Sequence, residues 1–176
     1  MRRSDLVAYL AGLAAGATVL VLFGFVERLG SNVQTNDLAG FWAGPRALLD
    51  GVDPYDAETW QATIARLGTQ TTPDPVYGYP PWMLIALVPV ALLPLGLATV
   101  LWTVVGVSVA VAGTWSLLRS VAPGWPLLHA LSGATLLGSQ PAIVSFYSGQ
   151  WTFLLLGATA FMTVLFLRAR YARAGM

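Results

Sequence analysis

Apolar residues run along this chain in five stretches, 6–26, 81–94, 95–118, 126–147 and 151–167, and one polar stretch at 27–80 separates the first from the others. The first stretch carries no charge, and at about 21 residues it can cross a hydrocarbon core of roughly 30 Å as a helix. The stretches at 95–118 and 151–167 are equally convincing spans. The stretch at 81–94 would reach only about 21 Å as a helix. Pro89 and Pro94 break it further, which predicts a short span or a re-entrant turn packed by protein, since lipid does not tolerate broken backbone. The stretch at 126–147 has its own break at Gln140-Pro141. The fold expected is all-α, a polytopic transmembrane bundle of four or five membrane segments forming a single membrane domain over 1–176, with 27–80 as a large first external loop.

Met1-Arg2-Arg3 could open a secretory signal, but the apolar run behind it is longer than a signal core and no small-residue cleavage site follows. It reads as an uncleaved first span. Arg2 and Arg3 at one end, and Arg168, Arg170 and Arg173 at the other, both mark the cytoplasmic side. Two cytoplasmic ends demand an even number of crossings, so either 81–94 or 126–147 does not cross fully; the sequence leaves both open. Residues 27–80 hold three Arg against seven Asp and Glu, a net charge of −4, which suits the extracytoplasmic side.

Within that loop the spacing predicts two short surface helices. Leu38, Phe41, Trp42, Leu48 and Leu49 recur near the helical period with Gly51 as a stop, although Pro45 should kink or split the segment. Asp56 can cap a second helix that puts Trp60, Ile64 and Leu67 on one face and ends at Gly68. Asp50-Gly51 and Asp53-Pro54 are turn chemistry. The Trp residues would sit at headgroup level.

Composition narrows the chemistry. With 56% hydrophobic and 10% charged residues the chain is a membrane protein, and a net charge of +1 with its nine basic residues, all Arg, dispersed gives no case for nucleic acid. The absence of cysteine removes disulfides, thiol catalysis and thiolate metal sites. With one His, metal ligation would rest on carboxylates; no cofactor is called for, and a divalent ion stays open. There is no phosphate-binding glycine loop, metal-binding His-Glu helix or nucleophile elbow, so a phosphoryl or acyl transferase lacks its chemistry.

Asp37, about ten residues past the first span, has two readings. It can accept backbone N–H groups at a helix start, or it can be a general base for a hydroxyl nucleophile; the two can coexist. Tyr79-Pro80-Pro81 is either an interfacial anchor opening a helix or a substrate-facing segment. Asp50, Asp53, Asp56 and Glu58 read as turn and cap residues in preference to metal ligands, for they lack an EF-hand pattern. Ala8, Gly12 and Gly16 form a small-residue stripe for helix packing. Gln150 either caps the last span or lines a site, and His129 reads as structural or interfacial.

Asp37-Leu38-Ala39-Gly40-Phe41-Trp42, then Ala47-Leu48-Leu49-Asp50-Gly51 with Asp53-Pro54-Tyr55-Asp56, then 77–82, Leu92-Leu93-Pro94 with Leu101-Trp102, and finally Ser148-Gly149-Gln150 resemble the amino-terminal half of family 87 glycosyltransferases. These are polytopic GT-C enzymes that include the polyprenyl-phosphate-mannose-dependent mannosyltransferases of bacterial envelopes. The resemblance implies inverting transfer of a sugar, mannose or another hexose or pentose, from a polyprenyl-phosphate donor to a hydroxyl of a lipid or glycan acceptor, at the outer face of the bacterial cytoplasmic membrane. It puts the family's catalytic acid on Asp37 as general base, and Trp42, Tyr79, Pro80, Pro81 and Gln150 around the substrate. Trp151-Thr152 follows Gly149-Gln150 where many members carry Asn. Family chains are more than twice as long, so the expectation is an amino-terminal portion that needs its missing half or a partner subunit and is inactive alone. The rival from another class is a non-enzymatic membrane subunit for lipid binding or transport.

Overall fold

The computed structural model describes residues 3–30, 37–68 and 76–173; Arg2 and, in the acidic stretch, 31–36 and 69–75 lie outside the described residues. All regular structure described is helical: α1 (Arg3–Gly30), α2 (Asp37–Leu49), α3 (Ala57–Leu67), α4 (Pro81–Ala86), α5 (Val88–Ala91), α6 (Leu95–Val121), α7 (Pro126–Gly138), α8 (Gln140–Ser148) and α9 (Thr152–Arg173). The chain forms two compact units, one of Met1–Ser31, Val104–Phe146 and Trp151–Met176, the other of Asn32–Thr103 and Tyr147–Gln150.

In the first unit, α1 packs along α7. The small-residue stripe is the seam: a Cβ on Gly16 would stand 2.5 Å from the Ala134 carbonyl oxygen, and one on Gly133 would stand 2.6 Å from that of Tyr9. Backbones this close exchange dispersion contacts along their length, which is how helices associate where lipid removes any hydrophobic drive. Gly113 and Gly157 do the same for α6 and α9. Tyr9, buried, reaches from α1 to α6 and bonds the Val111 carbonyl at 3.1 Å and Thr114 Oγ1 at 2.6 Å. Gly124 N–H, in the turn between α6 and α7, donates to Asp5 Oδ2 at 2.8 Å, which ties that turn to the first turn of α1. His129 has the structural role: fully buried, its Nδ1 donates to the Trp125 carbonyl and its ring meets Trp115 edge-on at 5.6 Å.

Among the described residues three helical segments, Arg3–Gly24, Leu95–Val121 and Thr152–Arg170, are long and apolar enough to cross a membrane, and α7 with α8, bent by 42°, makes a fourth if the pair is one span. The bend falls at Ser139, and Pro141 sits in the first turn of α8, where a missing N–H costs least. α4 has six residues and α5 four, far short of the roughly 20 a span requires. The segment 81–94 is thus the one too short to cross. Pro89 withholds the N–H that would have continued α4, and the chain breaks at Leu87.

The second unit is built on α2. α2 is not split at Pro45 but continues through it. Gly44, the residue ahead of Pro45, has no Cβ, which removes part of the clash that keeps a residue before proline out of helical geometry. Leu48 and Leu49 are 44% and 47% exposed, while Leu38, Phe41, Trp42, Ala43 and Ala47 form the buried face. α2 ends in a Schellman motif, with Val52 N–H on the Ala47 carbonyl, Gly51 N–H on that of Leu48, and Gly51 at φ 75°. α3 starts at the cap Asp56, which accepts from Thr59 N–H at 2.9 Å and from its hydroxyl, and stops at Gly68. Trp42, Ala43, Ala47, Trp60, Tyr77, Leu84, Ala91 and Ala98 form the core that these short helices share.

Two outcomes follow for the detergent-solubilised protein in thermal unfolding monitored by tryptophan fluorescence. Gly16→Ala lowers the unfolding temperature even though Ala is the better helix former by about 0.8–1 kcal/mol, because the added carbon meets backbone, and overpacking costs about 1–3 kcal/mol. Gly96→Ala, with no atom within 4 Å of the new carbon, does not lower it. Asp56 is held below the usual carboxylate range by the Thr59 backbone N–H and then the Thr59 hydroxyl. Its folded pKa is depressed, so its contribution is fully present above the ordinary value near 3.8 and fades as pH falls through the lower folded value. Asp56→Ala is therefore less stable than the parent at neutral pH, and the gap closes in strong acid.

Candidate active site

A turn at Gly149 brings Gln150 to Asp37 in the second unit. Tyr147 and Ser148 end α8, and Gly149 follows, buried, at φ 68°. A left-handed residue costs an L side chain about 1–2 kcal/mol, so glycine is what the turn requires. The turn delivers Gln150 to the first turn of α2, where its Nε2 donates to Asp37 Oδ2 at 3.0 Å. Both residues are half-buried. Asp37 sits at the positive end of α2, a location that favours an anion.

One turn further along α2, Phe41 packs on the Tyr79 ring at 4.6 Å and faces Trp102 at 6.2 Å. Tyr79 is half-buried, and its carbonyl accepts from Tyr55 Oη at 2.5 Å. That carbonyl precedes Pro80, so it lies outside any helical ladder and needs a donor from elsewhere. The Leu93 carbonyl, ahead of Pro94, has the same need, and Trp42 Nε1 meets it at 2.8 Å. Below this layer the Tyr77 ring fills the space over Gly44, where any Cβ would collide with it, and Tyr77 N–H bonds the Pro54 carbonyl at 2.9 Å.

Burial pushes the Tyr77 phenol far above its ordinary range, with Tyr55 and Tyr79 adding to the rise, and burial followed by the Asp53 carboxylate pushes Tyr55 up as well. Both stay protonated at neutral pH. Tyr55 donates its hydroxyl to the Tyr79 carbonyl, and the Tyr77 ring serves as packing surface.

The structure brings Gln150 onto Asp37, and Tyr79, half-buried, packs on Phe41 one turn along α2 from Asp37; Pro80 and Pro81 are exposed and open α4. Trp42 is 7% exposed with its indole N–H directed to Leu93, a scaffold position. Three of the other acids of the loop serve local structure: Asp50 pairs with Arg66 at 3.0 Å and Arg46 at 3.6 Å, Asp53 Oδ1 accepts from Tyr55 N–H, and Asp56 caps α3. Among the described residues no three His, Cys, Asp or Glu side chains gather into a metal site. Tyr55, Phe41 and Trp102 support Tyr79 although none was singled out as a site residue. The signal was present in Tyr79-Pro80, a carbonyl that had to find a donor.

Gly149→Ala is expected to lower the unfolding temperature of the solubilised protein by an amount equivalent to about 1–2 kcal/mol.

No curated protein and no solved structure gives a match to this chain. The family comparison gives one: the profile of glycosyltransferase family 87 matches residues 77–176, a stretch that holds Tyr79, Pro80, Pro81 and Gln150. With more than half of its length inside that profile, the chain belongs to glycosyltransferase family 87.

Proposed function

We propose that this multi-pass membrane protein transfers a sugar, mannose or another hexose or pentose, from a polyprenyl-phosphate donor to a hydroxyl of a lipid or glycan acceptor, with Asp37 as general base. The observation that carries the reading is the contact of Gln150 with the half-buried Asp37 carboxylate in a family 87 chain. In the step, the acceptor oxygen forms a bond to the anomeric carbon while the bond from that carbon to the phosphate oxygen breaks. The electron pair leaves on the lipid phosphate, and the hydroxyl proton goes to the Asp37 carboxylate. Attack from the face opposite the leaving group inverts the anomeric centre. The phosphate is an anion when it departs, so no general acid is called for.

Tyr79, Pro80 and Pro81 form the exposed edge against which the substrate rests, and Trp42 supports that edge from beneath. The loop carrying Asp37 faces outward from the bacterial cytoplasmic membrane. Its net negative charge supports that side, and so does Arg at both termini if α7 and α8 together make one span, which gives an even count of four.

Asp37→Asn keeps the shape and removes the basicity. In membranes supplied with a radiolabelled polyprenyl-phosphate sugar, the variant should lose about 10²–10⁴-fold in turnover, the usual worth of a general base, with donor binding within twofold. Turnover close to the parent's would sink the assignment and favour a non-enzymatic lipid-binding subunit.

A further inference from the structure

Gln150 carries an amide, which is a poor proton-transfer group, yet it is delivered at some cost. A left-handed glycine immediately before it turns the chain, the turn is buried, and the amide ends on a carboxylate 113 positions away in the sequence. A residue that merely capped the next helix would need none of this. The contact is made to Oδ2. A carboxylate held at one oxygen can no longer spin freely about its terminal torsion, and the other oxygen then has a fixed direction.

We propose that Gln150 is a positioning residue for Asp37: its amide clamps Oδ2 and thereby makes Oδ1 the oxygen that takes the acceptor's proton. This rests on the reading of Asp37 as base. Oriented reactants account for large factors in rate, and a misplacement of about 1 Å can cost on the order of 10²-fold. The clamp opposes catalysis slightly, since a donated hydrogen bond stabilises the ionised carboxylate. Orientation wins because a base that points away from the hydroxyl accepts nothing, however basic it is.

The proposal separates from a role in gripping the donor through kinetics. A gripping residue is felt in KM; a positioning residue is felt in kcat and acts only through its partner. In native membranes with a polyprenyl-phosphate sugar and a saturable acceptor, Gln150→Leu should lower kcat about 10- to 100-fold and leave KM for the donor within twofold. Gln150→Glu, which keeps the length and loses the donor, should fall at least as far. In an Asp37→Asn background, Gln150→Leu should bring no further loss, because there is no base left to orient. The folding of each variant is checked by its unfolding temperature.

A raised KM with kcat unchanged, or losses that multiply in the double variant, would overturn the proposal and return Gln150 to substrate binding. An active Asp37→Asn protein would instead remove the base itself, so failure of the two readings can be told apart.

Discussion

The hydrogen bond from Gln150 to Asp37 sets the orientation of the candidate base, and the second unit can be understood as the apparatus that keeps its two ends within reach. The bond does little for stability. A hydrogen bond to a charged group nets about 1.5–3 kcal/mol when well protected, less when half-exposed, while ordering a glutamine side chain costs about 1.5–2 kcal/mol. The two nearly cancel. What holds the ends in place is the packing beneath: truncating a buried tryptophan such as Trp42 typically costs about 3–5 kcal/mol, and Trp42 also anchors α2 to the junction before α6 through Leu93. Position comes from the scaffold, and direction from the hydrogen bond.

That scaffold solves a problem created by its own prolines. Proline breaks the chain into short pieces and strands the carbonyl ahead of it. At Tyr79 and Leu93, the residues before Pro80 and Pro94, the stranded carbonyls are taken up by Tyr55 Oη and Trp42 Nε1. Aromatic side chains with a polar tip suit this role, since the ring pays for burial and the tip brings one donor across several ångströms. The same rings then stack: Tyr77 touches Tyr55, Trp60 and Tyr79 with centroids 5.3–5.8 Å apart. Backbone satisfaction and core packing are therefore carried by one set of residues, which explains why a region of short helices can hold a site in place.

The local devices were legible in the sequence: the cap at Asp56, the stops at Gly51 and Gly68, the break around Pro89, and the seam at Gly12 and Gly16. Each depends on neighbours within a few residues or on a helical period. The expected split of α2 at Pro45 does not occur, and Gly44 ahead of it relieves part of the clash that proline brings. α2 packs against α3, α4 and α5 through Trp42, Ala43 and Ala47, while Leu48 and Leu49 lie exposed. The partnership of Asp37 with Gln150 was beyond any local rule. In the sequence only the family resemblance put both residues at one site; their direct contact depends on the turn at Gly149 and on the fold that carries it to α2.

Family membership and site geometry contribute separately. The family 87 profile begins at residue 77, so Asp37 lies outside the matched stretch, and its proposed role gains nothing from the match by itself. Gln150 and Tyr79 lie inside it. The hydrogen bond to Gln150, and the packing of Phe41 on Tyr79, connect the first turns of α2 to residues the family comparison does cover. The case for Asp37 is thus carried by contacts that arise from two distant parts of the chain folding onto each other.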